Sequence, residues 1–194
     1  MTIDSEDLLN SILASLDRIN CIAPEDVPNI ELYMDQVTTF MDDKLRSTAR
    51  YPEEDKILTK TMINNYTKNN LLPPPVKKKY SKEHVLLLIF IYYYKSILSI
   101  SDIQTLLEPI TKRFFQSEDA FNLESIYREA FGMEEQQLDV LKEDVVRKFK
   151  AAEQTFQDAP EESRDFLRKF SFICSLSFDV YVKKLMIEKM VDEL

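Results

Sequence analysis

Nine side chains between residues 60 and 82 have the types and spacing to grip a charged polymer and read an edge of it. Lys60, Thr61, Asn64, Asn65 and Lys68 recur at steps of three and four, so a helix over residues 60–69 presents them on one face. The opposite face, Met62, Ile63 and Tyr66, is expected to turn inward. An asparagine amide carries a donor and an acceptor, which match the N6/N7 edge of adenine in the major groove; lysine and threonine hold phosphates and set register. Lys77, Lys78, Lys79 and Lys82 follow in a short segment and add the positive charge that displaces counterions from a duplex. The four asparagines Asn64, Asn65, Asn69 and Asn70 fall in the same stretch.

The charge of the whole chain hides this feature. The formal net charge is −9, yet residues 56–82 hold seven lysines and no acid. Residues 1–55 hold four basic and thirteen acidic side chains, and residues 83–194 hold fourteen and twenty-one. An acidic body with one basic window directs a single face at an anion and repels it elsewhere. The bland alternative is a solvated lysine-rich loop.

These residues need elements to position them. Thr59 is placed as the N-cap of the 60–69 helix, and Asn70, which tolerates the left-handed region, is placed to end it. Pro73, Pro74 and Pro75 then forbid helix. Ser81 caps a helix over residues 82–98 whose apolar run from Val85 to Tyr94 suits burial on most sides. Ser99 and Asp102 form a capping box for a short helix expected to stop near Pro109.

Upstream, the apolar spacing predicts helices over residues 5–19 and 31–45, then a connector over 47–56. Downstream it predicts helices over 120–131, from 135 to about 157, and from 160 to the C-terminus. The last carries two adjacent apolar stripes: Phe166, Phe170, Ile173, Leu176, Val180, Ile187, Met190 and Leu194, and Leu167, Cys174, Phe178, Tyr181 and Leu185. That is more than one partner helix covers, so a homodimer through 160–194 is expected. The alternative is that residues 1–20 fold back over the second stripe.

Composition excludes much else. Hairpin turns of types I′ and II′ and phosphate-cradling loops need residues that tolerate positive φ, and Gly132 is the only glycine. An all-β fold, a Rossmann site and a P-loop are therefore set aside. Cys21 and Cys174 are the only cysteines; they are expected to be reduced and buried, with no disulfide framework or metal site. His84, the only histidine, reads as structural or surface-exposed, and no metal is expected. Tyr92, Tyr93 and Tyr94 read as core aromatics, and Met186 and Met190 as core or dimer contacts. The acid pairs Glu134-Glu135 and Glu161-Glu162 read as surface charge. No catalytic set is arguable, so no enzyme and no cofactor are expected. The longest apolar run is far short of a membrane span and the N-terminus is acidic, so a cytoplasmic protein is expected.

The order of pieces from Thr59 onward resembles the MerR family of winged helix-turn-helix proteins. The matching pieces are Thr59, Tyr66, Asn70-Leu71-Leu72-Pro73-Pro74, Tyr80-Ser81 and Leu98-Ser99-Ile100-Ser101-Asp102-Ile103. More broadly, residues 20–110 resemble an uncharacterised bacterial family catalogued as domain of unknown function 1836 and suspected of binding DNA. The family's glycine before Leu-Leu is Asn70 here. Only seven residues separate Leu72 from Tyr80, and so short a span argues against a full β-hairpin. The long connector before Thr59 calls for a helical turn over residues 53–58 or leaves the motif incomplete.

The resemblance implies an all-α chain: an N-terminal helix (1–22), a MerR-like helix-turn-helix domain (23–109), and a helical dimerisation or effector domain (110–194) ending in a long helix. It implies a transcriptional regulator whose partner is double-stranded DNA; separately, the aromatic-rich C-terminal bundle could enclose a small apolar effector, as pockets between bundle helices can. The alternative function is a non-enzymatic, protein-binding adaptor built on a degenerate winged helix.

Overall fold

The computed structural model describes residues 5–17 and 22–194, without the side chains of Ser5 and of residues 133–136. Ile19 and Cys21 thus lie outside the described residues, as do the Glu134 and Glu135 side chains. Of the described residues, 69% are helical, and the only sheet among them has two strands. None of these helices is long and apolar enough to cross a membrane.

Helix α1 (Ser5–Leu16) precedes a short 3-10 turn at Pro24–Asp26. Strand β1 (Leu32–Tyr33) leads directly into α2 (Met34–Leu45), where a helix from residue 31 was expected. The difference has a local cause: Leu32 and Tyr33 pair antiparallel with Tyr80 and Lys79 of β2 (Lys79–Tyr80), and Gln36 Oε1 accepts the Tyr33 amide at 2.8 Å. That interaction starts the helix at Met34.

The connector after α2 contains a 3-10 turn at Arg46–Thr48 and one hydrogen-bonded turn in which Asp55 donates to the Tyr51 carbonyl at 2.8 Å. Helix α3 (Lys60–Lys68) follows. Helix α4 (Lys82–Tyr94) is buried on every side: Val85, Leu86, Leu87, Leu88, Ile89, Phe90 and Ile91 all lie inside. Tyr92, Tyr93 and Tyr94 are half-buried and pack against the same core.

Two expected breaks are absent. Helix α5 (Ile100–Phe114) runs through Pro109, because it buries Ile103 and Leu107 before the proline and packs Ile110 beyond it, enough to outweigh a penalty of about 3 kcal/mol. Helix α6 (Leu123–Glu153) runs through Gly132, where the two helices 120–131 and 135–157 were expected. A lone glycine weakens a helix by only ~1 kcal/mol, and here a Cβ would meet nothing within 4 Å. Asn122 caps this helix, accepting the Ser125 amide at 3.1 Å.

One continuous core extends from Ile22 to Phe131, past residue 109 and into the first turns of α6 through Leu123, Tyr127 and Phe131. The Tyr127 hydroxyl donates to the Ile22 carbonyl at 2.7 Å and ties the two ends of this core together. Beyond it, α6 pairs with the long helix α7 (Glu161–Val191). Phe149 and Phe172 meet edge to face at 5.4 Å, Leu9 and Ile12 of α1 pack on that seam, and Lys148 bridges Asp144 and Asp179. Near the end of α7, Ile187 packs against the main core.

Candidate nucleic-acid interface

The α3 helix is amphipathic in the sense its sequence implies. Ile63 and Tyr66 are buried and Met62 is half-buried, whereas Lys60, Thr61, Asn64, Asn65 and Lys68 are exposed. Burial pushes the Tyr66 phenol up, so it stays neutral and apolar in character. The ends are fixed as expected. Thr59 Oγ1 accepts the Met62 amide at 3.1 Å, and Asn70 takes φ 58°. The Leu71 amide reaches the Tyr66 carbonyl at 2.9 Å and the Asn70 amide reaches Thr67 at 3.2 Å, the paired bonds of a Schellman cap.

The basic segment forms a hairpin after all. Val76 and Lys79 exchange both backbone hydrogen bonds, at 3.1 and 2.9 Å. The two residues between them, Lys77 and Lys78, take φ 50° and 65°, as a type I′ turn requires. Neither is glycine or asparagine. Seven residues suffice because the loop is reduced to two, and two lysines in the left-handed region close it. Both are exposed at the tip. Such backbone is unfavourable by roughly 1–3 kcal/mol per residue and persists only where its surroundings impose it; here the β1–β2 pairing on one side and the three prolines on the other do so.

The other expected residues are partly neutralised. Lys79 pairs with Glu31 at 3.4 Å and lies over the Tyr33 ring. Lys60 pairs with Asp35. Lys82, half-buried, pairs with Glu124 of α6 at 2.8 Å and braces α4 against α6. Thus Thr61, Asn64, Asn65, Lys68, Lys77 and Lys78 are the exposed members of the set with no ion pair among the described residues.

Residues outside that set hold it in place. Arg46 donates to the carbonyls of Pro52 and Asp55, at 2.5 and 2.6 Å, and pairs with Asp42. Lys95 donates to the Ile57 carbonyl at 3.0 Å, with its amine pKa lowered by burial, and Thr48 Oγ1 meets the Tyr92 hydroxyl at 2.8 Å. These contacts pin the long connector onto α2 and α4, so α3 is delivered without a short turn. The sequence signal for them was only the i, i+4 pair Asp42 and Arg46. The helical turn lies at Tyr51–Asp55, shifted toward the N-terminus and overlapping the expected 53–58 stretch only in its first residues.

His84 sits at the root of the hairpin, 1% exposed. Its ring lies between Tyr80 and Phe115, edge to face, at 5.5 and 4.8 Å. It is a structural residue. Nδ1 accepts the Ser81 amide at 3.0 Å, which places the neutral ring's proton on Nε2. Burial lowers its pKa, opposed by the nearby Pro73 and Pro74 carbonyls.

A strand, a helix, a doubly capped second helix, a hairpin and a buried helix thus follow in order within one core. A family model described as Domain of unknown function (DUF1836) matches residues 22–130, the extent of that core, and the chain belongs to this family. No curated protein and no solved structure matches it.

Proposed function

We propose that residues 23–109 are a MerR-like winged helix-turn-helix domain that binds double-stranded DNA, and that the protein is a cytoplasmic transcriptional regulator and not an enzyme. The observation that carries this reading is the exposed Thr61, Asn64, Asn65 and Lys68 face of α3, followed within seven residues of its cap by a hairpin tipped with Lys77 and Lys78. At ~3.3–3.6 Å per residue, Lys77 lies within about 25 Å of the Asn70 cap, less than one duplex turn of ~34 Å. α3 would enter the major groove, Asn64 and Asn65 reading base edges, while Lys60, Lys68 and Lys77 to Lys79 hold phosphates.

The ion pairs Lys60–Asp35 and Lys79–Glu31 favour a second reading, in which the same surface docks a protein. Salt separates the two. Selection from random duplexes, followed by fluorescence anisotropy at increasing salt, is expected to give a preferred site and a log K that falls with slope about −0.9 per phosphate neutralised. Replacing Asn64 or Asn65 by Ala is expected to lose ~1–3 kcal/mol on that site and relax its specificity. Failure to enrich any duplex, or affinity indifferent to salt, overturns the DNA reading.

A further inference from the structure

The face of α7 turned away from α6 carries Phe166, Phe170, Cys174, Phe178, Tyr181 and Leu185, at steps of four, four, four, three and four, and all are exposed. Phe166, Phe170, Phe178 and Tyr181 are 68%, 51%, 66% and 64% exposed. At ~150–250 Å² per aromatic side chain, these four leave on the order of 500 Å² in water, already within the ~300–600 Å² of the largest patch on a typical monomer. Exposed Ile173 and Leu185 extend it toward the ~800 Å² per partner of a stable association. The methionines Met186 and Met190 are exposed, not core, and Cys174, expected to be buried, is exposed. The intramolecular cover is occupied elsewhere: Leu9 and Ile12 of α1 lie on the Phe149–Phe172 seam together with Leu176.

We propose that a second copy of this chain covers the stripe, its α7 antiparallel to the first and crossing it at Cys174. Two features argue for this occupant. The stripe is self-complementary about Cys174: Phe170 and Phe178 stand four residues to either side, so each Phe170 meets Phe178 of the other copy. Cys174, with Ser171 and Ser177 beside it, leaves room at the crossing for the axes to approach, and a twofold contact closes on itself.

The inference goes beyond the DNA reading and does not rest on it: α7 shares no residue with α3 or the hairpin. A dimer that binds no DNA leaves it standing, and a monomer that binds DNA refutes it alone.

The test uses the full chain with Cys21→Ser, so that Cys174 is the sole thiol. Sedimentation equilibrium at tens of micromolar is expected to give twice the 22.8 kDa chain mass. Oxidation with copper phenanthroline is expected to join two chains through Cys174, reversibly on adding thiol. Phe170→Glu with Phe178→Glu is expected to return the mass to that of one chain, with the helical circular dichroism unchanged. A monomer at that concentration, a dimer that survives the paired Phe→Glu change, or a dimer that never links through Cys174 overturns the proposal.

Discussion

The backbone amide of Ser81 donates to Nδ1 of His84 at 3.0 Å, and this bond fixes both the tautomer of the ring and the start of α4. The imidazole occupies the N3 position of a capping box usually filled by Glu or Gln. Protonating Nδ1 would remove its acceptor and place a charge between Tyr80 and Phe115.

Stability should therefore depend on pH through this residue. The folded-state pKa of His84 is lowered by burial from the ordinary 6.5, so the unfolded chain takes up the proton first. Stability is full above pH 6.5, falls as pH drops through 6.5 toward the folded pKa, and this contribution levels off below it. Neighbouring Glu83 acts in the opposite sense: burial raises its carboxyl pKa, so protonating it relieves a penalty. Urea midpoints between pH 5 and 8 for the wild type and His84→Gln, which keeps an acceptor for the Ser81 amide, isolate the histidine. The variant should lose the downward slope; equal slopes would show that His84 stays neutral throughout.

The hairpin tip should trade stability against binding. Lys77→Asn with Lys78→Gly supplies the residues a type I′ turn prefers and should raise the melting temperature. The same change removes two phosphate-facing charges, so the slope of log K against log salt should shrink by about 1.8. A melting temperature that falls would mean that the lysine side chains stabilise the turn.

Lys60 is held by Asp35. Asp35→Asn should release it toward phosphate, strengthening binding to all duplexes alike and steepening the salt slope by about 0.9. Anisotropy titrations of the two proteins at three salt concentrations decide it; unchanged affinity would place Lys60 outside the interface.

The caps of α3 offer a test of fold alone. Thr59→Ala removes the acceptor for the Met62 amide and should lower unfolding free energy by about 1 kcal/mol. Asn70→Gly, at φ 58°, should be neutral or stabilising, while Asn70→Val should destabilise by ~1–2 kcal/mol. Thermal melts of the three variants check the order.

What the sequence determined by itself was local. Thr59, Asn70 and Ser99 mark helix ends through bonds made within a few residues, and the inward set Met62, Ile63 and Tyr66 follows from helical spacing alone. The unbroken run from Val85 to Ile91 announced a helix buried all round. Tertiary structure decided what depends on partners distant in the chain. Leu32 and Tyr33 have a helical neighbourhood yet form a strand, because Tyr80 and Lys79, nearly fifty residues on, supply the ladder. Lys77 and Lys78 accept positive φ because the β1 pairing closes the hairpin around them, and no propensity of lysine foretells that. Pro109 and Gly132 fail to end helices because burial of Leu107, Ile110, Tyr127 and Phe131 outweighs a local penalty of a few kcal/mol. That α7 is apolar over a wide face was legible, but neither expected stripe is the one α6 takes: Phe172, which lay in neither, packs on Phe149 with Leu176 beside it, and this leaves most of both stripes, Cys174 included, in water.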